Sequence, residues 1–272
     1  VLPFRSTSPS APLPAGPAAL FVAHPGHELR LHGWLELARP LTFVLTDGSG
    51  HTGRSRLAST TRVLEACGAR AAAVYGRFRD ADLYRAILAG SAAELAATVR
   101  EIADQLEGGG VRSIAADARE LYNPSHDLCR VMADLAVELI RERSGTIIRN
   151  FDFATVHPRP AGAGAVTIIL DDAALQRKVA AAAGYAELRG EYEAAVAGGI
   201  ESLRTEVLHP VEGAAPEVQP SGKPYYEVHG ERQVAHGYYA EVVRYSDHFL
   251  PLVERLQQEL GLVPAEARGF RQ

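Results

Sequence analysis

Ala18-Ala19-Leu20-Phe21-Val22-Ala23-His24-Pro25-Gly26-His27-Glu28 is the stretch on which the fold turns. An apolar run closed by Pro and Gly reads as a buried strand that stops abruptly at a loop. In open α/β sheets, ligands bind just beyond the carboxyl ends of the strands, so this loop faces a ligand. It carries two imidazoles three residues apart. A third, His126, lies in Tyr122-Asn123-Pro124-Ser125-His126-Asp127, after the run at 111–116. Three protein donors with one position left open form the usual catalytic zinc arrangement. The spacing alone is a weak signal, and a polar loop whose histidines only hydrogen-bond fits it too.

Working outward, strand patterns at 18–23, 41–45, 71–75, 112–115 and 146–149 alternate with helical ones at 28–38, 54–67, 92–106 and 127–143. That order predicts an α/β fold of Rossmann-like type, a mainly parallel sheet with helices on both faces. Gly108-Gly109-Gly110 stops a helix before the strand that leads to His126. Gly48-Ser49-Gly50 lacks the spacing of a nucleotide-binding loop and is expected to let the backbone pass close to the pocket. Residues 1–17, rich in Ser, Pro and Ala, read as an extended arm, and 18–160 as the core. Residues 161–272 read as a C-terminal α/β extension or lid. Within it, 166–170 is a predicted strand, 171–197 one long amphipathic helix and 249–260 a final helix. The segment 210–224 reads as a surface loop, and 238–245 fits a strand or a helix.

At 272 residues, 47% of them hydrophobic, the chain can bury a large core. Its net charge of −5, with both signs interspersed, offers no footprint for nucleic acid. No apolar stretch approaches the roughly 20 residues a membrane span needs. The N-terminus lacks the charged and apolar regions of a signal peptide, so a cytoplasmic location is expected by default. Cys67 and Cys129 each sit in a helical apolar pattern and read as buried free thiols. A homo-oligomer is left open.

From residue 18 to about 210 the chain resembles the PIG-L/LmbE-like family, the zinc-dependent N-acetylglucosaminyl deacetylases. The family's hallmark Ala-His-Pro-Asp-Asp-Glu appears as Ala23-His24-Pro25-Gly26-His27-Glu28. Thr46-Asp47-Gly48-Ser49-Gly50, with Arg56 and a helix ending at Cys67-Gly68-Ala69, is similar to the next strand and helix. Tyr122-Asn123-Pro124-Ser125-His126 resembles the family's His/Asn-Pro-Asp-His segment. Leu170-Asp171-Asp172 through Lys178 and Tyr185 resembles its Lys-x-x-Ala-x-x-x-Tyr helix. The resemblance implies zinc at His24, His27 and His126, with an imidazole at 27 where the family has a carboxylate. It also places the general base at Gly26, and glycine cannot take a proton. Ser125 replaces the Asp beside the last ligand. Asn123 stands where some members have an oxyanion-binding His, and an amide can still donate there. Arg56 is implied to meet the sugar or its phosphate, and Asp80 the sugar hydroxyls, although a solvated loop Asp fits position 80 equally well.

These readings predict a metal-dependent hydrolase that removes an acetyl or other acyl group from an N-acetylated sugar or sugar-like small molecule. Zinc alone can bring a water's pKa to about 7, so no dedicated base is required. Otherwise Asp127, Asp47 or Glu28 would have to serve, each of which suits bracing or helix capping as well. Tyr225 and Tyr238, with His229, His236 and His248, are expected to form a substrate wall, or else a subunit interface. Two other functions remain open. Three neutral imidazoles also suit a lyase, a transferase or redox chemistry with iron or another divalent metal. A missing base also suits a binding protein whose site has decayed.

Overall fold

A computed structural model of the chain describes residues 11–211 and 222–262. Five strands lie parallel: β1 (Ala18–Val22), β2 (Leu41–Thr46), β3 (Arg70–Phe78), β4 (Ser113–Asp117) and β5 (Arg149–Phe153). Two more, β6 (Val166–Ile169) and β7 (Thr205–Pro210), extend the sheet antiparallel beyond β5. The order is β3-β2-β1-β4-β5-β7-β6. This is the mainly parallel α/β architecture that the alternation of patterns predicts.

Side chains alternate across a strand, so β1 feeds two cores. Ala19 and Phe21 face one cluster, Leu20 and Val22 the other. The first cluster is closed by α3 (Asp80–Ala89), α4 (Ala92–Gly108), α5 (Pro124–Ser144), α8 (Tyr225–Ala235) and α9 (Leu250–Leu260). The second is closed by α1 (His32–Ala38) and α2 (Leu57–Cys67). Both cysteines are buried free thiols, and burial pushes the Cys67 thiol up to about 12.

The pattern at 28–38 is split, its first turn being a 3₁₀ turn, His27–Leu31. The fifth strand lies at 149–153, later than its predicted place at 146–149. The long helix expected over 171–197 is broken into α6 (Asp172–Ala183) and α7 (Arg189–Ala197). α6 ends at its cap Gly184, and Tyr185 after it turns inward, fully buried, its hydroxyl 2.8 Å from Thr60. Of the segment 238–245, residues 238–244 are neither strand nor helix, and Tyr245 opens a π-helical turn, Tyr245–Phe249, that leads into α9. Residues 1–10 of the expected arm and 212–221 of the expected loop lie outside the described residues. Among the described residues, no helix is long and apolar enough to cross a membrane.

Adjacent β1 and β4 connect to opposite sides of the sheet, β1 toward β2 and β4 toward β5. That reversal opens a crevice at their carboxyl ends, where α/β sheets bind ligands. His24 and His27 follow β1, and His126 lies on the first turn of α5 after β4.

Candidate functional site

The three imidazoles meet in that crevice. Ring centroids are 5.4 Å apart for His24 and His27, 5.1 Å for His24 and His126, and 4.5 Å for His27 and His126. Each ring is held through its Nδ1. Asp117, the last residue of β4, accepts from His27 Nδ1 at 2.8 Å and from the Ala23 amide at 2.9 Å. His24 Nδ1 lies 2.8 Å from Thr46 Oγ1 and donates to Asp80 Oδ1 at 3.1 Å. His126 Nδ1 lies 3.2 Å from Thr155 Oγ1, which donates to Glu120 Oε2 at 2.5 Å.

These contacts fix the tautomers. A carboxylate only accepts, so Nδ1 carries the proton on His24 and on His27. Glu120 takes the Thr155 hydroxyl proton, which leaves Thr155 to accept from His126 Nδ1. All three rings therefore keep an Nε2 lone pair, and His24 Nε2 is buried with no hydrogen-bond partner. Burial, with the other two rings, holds the His126 pKa well below its usual value, so this ring stays neutral.

A cation is what three convergent lone pairs lack. Rings sharing one zinc through Nε2 at about 2.0–2.1 Å would have centroids roughly 5 Å apart, as here. The outer partners are those that orient metal-binding histidines, carboxylates and a hydroxyl on the far ring nitrogen. The donor set fits a metal in its chemistry and spacing. The rings themselves pack edge to face, and no group of three His, Cys, Asp or Glu among the described residues stands ready to hold an ion. Closing on one requires the rings to turn.

Gly26 is committed to being glycine. Its φ is 109°, and a Cβ there would lie 2.3 Å from Leu188 Cδ1. Glu28 is buried and accepts from the Gly26 amide at 2.7 Å, so it braces the loop. Gly48, also at positive φ, lets the second loop approach; a Cβ on it would lie 2.9 Å from Pro25 Cδ. Asp80 and Arg56 form the rim beside it. A Cβ on Gly50 would lie 3.7 Å from Arg56 Nη2 and 3.8 Å from Asp80 Oδ2. Burial pushes the Asp80 carboxyl up, but His24, Thr46 and the Gly50 amide together hold it well below the usual carboxylate range.

Three proposed acid–base or oxyanion groups are occupied with the backbone. Asp47 Oδ1 accepts from the Ser49 amide at 3.0 Å. Asn123 caps α5, its Oδ1 accepting from the Ser125 amide at 2.9 Å, so its amide NH₂ is the donor left over. Asp127 is fully buried; its Oδ1 accepts from Glu120 and Leu121 amides, the latter in the left-handed region at φ 53°. This carboxyl holds the 118–123 loop and does not meet solvent.

Burial raises the Asp127 pKa to about 7, against the pull of Arg119 and of the two amides. The folded value lies above the unfolded one of about 3.9, so stability falls as pH rises through roughly 4 to 7. Asp127→Asn keeps an oxygen for both amides and removes the titration. It is expected to be more stable than wild type at pH 8, by on the order of 1–3 kcal/mol, and nearly equal at pH 4. Its turnover should stay near wild type. Urea unfolding at both pH values checks the first, and a variant less stable at pH 8 contradicts it.

Tyr225 stacks on Tyr122, three residues before Ser125, with centroids 4.5 Å apart and planes 2° from parallel. Tyr238 is 76% exposed and meets His236. His229 joins the Tyr225 side of the row, and His248 instead accepts from the Arg244 amide. Sequence reasoning missed Thr46, Asp117, Glu120 and Thr155. Only Asp117 left a signal, a carboxylate ending a strand next to the histidine loop.

No protein-family model matches the chain, and no curated protein matches it. Solved structures resemble it at a distance. The conserved protein TT1542 from Thermus thermophilus aligns at 19% identity and a TM-score of 0.48, over 75% of this chain and 98% of that one. The antimicrobial reagent A40926 pseudoaglycone deacetylase aligns at 17% and 0.46, over 71% and 96%. A triple mutant of a deacetylase from the teicoplanin biosynthetic pathway aligns at 12% and 0.49, over 72% and 97%. Likeness this distant carries no activity across, so function is argued from the side chains.

Proposed function

We propose that the chain is a metal-dependent amidohydrolase that holds zinc at His24, His27 and His126 and deacylates an N-acylated amino sugar or similar small molecule. One observation carries this reading: three imidazoles with committed Nδ1 protons and free Nε2 lone pairs, one of them buried without a partner. Zinc there would supply Lewis acidity toward the amide carbonyl and a water of pKa about 7.

The chain's own groups do the rest. Asp117 and Asp80 orient His27 and His24 and strengthen them as donors. Asp80 is ionised but a weak base, so it is no substitute for the carboxylate missing at position 26. Its side chain is 17% exposed, whereas that of Asp117 is fully buried. Each carboxylate oxygen can accept twice, so Asp80 can also take a sugar hydroxyl while holding His24. Arg56 beside it suits a further hydroxyl or a phosphate. The Asn123 NH₂ donates to the oxyanion that develops as the amide is attacked.

Zinc added to metal-free protein is expected to start acetate release from N-acetylated amino sugars, and a chelator to stop it. A zinc-loaded protein that releases no acyl group across such a panel contradicts the hydrolase reading. Tyr225→Ala should raise KM about threefold to tenfold for sugar substrates with kcat little changed, as expected for a lost stacking face. An unchanged KM across the panel removes Tyr225 from the substrate wall.

A further inference from the structure

Leu188 stands over Gly26 of the histidine loop, and behind it lies a cavity of about 230 Å³. A Cβ on Gly26 would meet Leu188 Cδ1 at 2.3 Å and Leu188 Cγ at 3.5 Å, so the two residues are in close contact. Both line the cavity, and none of the three imidazoles does. The leucine therefore closes the way from the ring cluster to the cavity. Beyond it, Leu31, Phe153, Leu203 and Val207 make much of the wall apolar. A dry cavity of about 150 Å³ holds a benzene ring, so this one has room for roughly eight to ten carbon atoms.

The closure is held from outside the crevice. Leu188 ends a 3₁₀ turn, Ala186–Leu188, between α6 and α7. Its amide donates to the Tyr185 carbonyl at 3.0 Å. Tyr185 in turn donates from its hydroxyl to the Arg56 carbonyl at 3.3 Å, and Glu187 accepts from Ser59 Oγ at 2.8 Å. Two anchors thus pin the turn to the start of α2 and present Leu188 to Gly26. The other sides of the crevice are polar. Asp80 and Arg56 stand beside the Gly50 backbone, and Asn123 caps α5. Sugar hydroxyls and an oxyanion suit those groups, which leaves the apolar acyl group the side of Gly26 and Leu188.

We propose that Leu188 is the wall on which the acyl group packs and that it limits this group to acetyl or one of similar size. The proposal rests on the amidohydrolase reading and narrows its substrates to short N-acyl groups. A longer chain has to cross the space the leucine fills, and the room for it lies beyond. One surplus methylene against a hydrophobic wall costs roughly tenfold or more in kcat/KM, enough to set chain length.

N-acetylglucosamine and N-octanoylglucosamine test it in wild type, in Leu188→Ala and in Leu188→Ala combined with Ala182→Phe. Ala182 lines the cavity, so a phenyl group there takes up the room beyond the leucine. By calorimetry on metal-free protein, Leu188→Ala should bind the octanoyl sugar at least about tenfold more tightly than wild type, and the double variant should lose that gain. In zinc-loaded protein, Leu188→Ala should raise the octanoyl-to-acetyl ratio of kcat/KM roughly tenfold or more. Equal affinity of wild type and Leu188→Ala for the octanoyl sugar overturns the closure, as does a wild type that cleaves both sugars equally well. A gain that survives Ala182→Phe overturns the cavity's part in it. Calorimetry needs no zinc, so the two readings fail separately. Tighter octanoyl binding in Leu188→Ala, by a protein that releases no acyl group from either sugar, leaves the closure standing and overturns the hydrolase.

Discussion

Asp117→Asn is expected to weaken zinc binding about 10–100-fold and to lower turnover at limiting zinc in proportion, with no donor to the metal removed. Asp117 is fully buried at the end of β4, where it fixes both the Ala23 amide and His27 Nδ1. An amide is only half acceptor. If Asn presents its NH₂ to His27, the ring proton moves to Nε2 and the lone pair facing the cluster is lost. If it presents its oxygen, the tautomer survives but the charge that strengthened the donor is gone. Zinc competition against a chromophoric chelator measures the change. Wild-type affinity in Asp117→Asn would show that the ring contacts do not serve a metal.

The second large effect concerns the position where the family resemblance places a base. Restoring the hallmark with Gly26→Asp should cost stability and gain no turnover. The backbone there has φ 109°, which costs an L-residue on the order of 1–3 kcal/mol. A Cβ would also stand 2.3 Å from Leu188 Cδ1, so that side chain would have to turn aside. The loop's own geometry thus disfavours an Asp at 26. The rest of the site is shaped around glycine, since Leu188 and the fully buried Tyr185 close the space a carboxylate would use. Thermal unfolding and turnover together check this. A Gly26→Asp protein with wild-type stability and a faster rate would mean that the loop can be rebuilt.

The sheet was legible because its central strands are apolar runs closed by loop residues, and the alternation with helices left one economical topology. His24, His27 and His126 could be placed in one crevice for the same reason. The misses have physical causes. In β7 the inward positions are Glu206 and Leu208, so a buried carboxylate hides the period-two pattern. The turn 80–89 is helical, with Leu83 and Ile87 one helical turn apart on the core side, yet its three charged residues among the first six read as loop. The pattern over 171–197 breaks at Gly184, where the chain turns so that Tyr185 reaches Thr60, a contact 125 residues distant. Partners of the ring nitrogens are of this long-range kind as well. Asp117 lies 90 residues from His27, and Asp80 56 residues from His24. No local pattern announces such pairs. Asp80 was singled out as a sugar ligand, and its contact with His24 became visible only in the fold.

The central claim is that three imidazoles share one metal ion. Titrating zinc into metal-free wild type and into His24→Ala, His27→Ala and His126→Ala tests it most directly. The wild-type chain should bind one equivalent, and each variant should bind at least about a hundredfold more weakly, since a three-donor site loses a full ligand. No zinc binding by the wild-type chain, or wild-type affinity in any one of the three variants, would contradict the account.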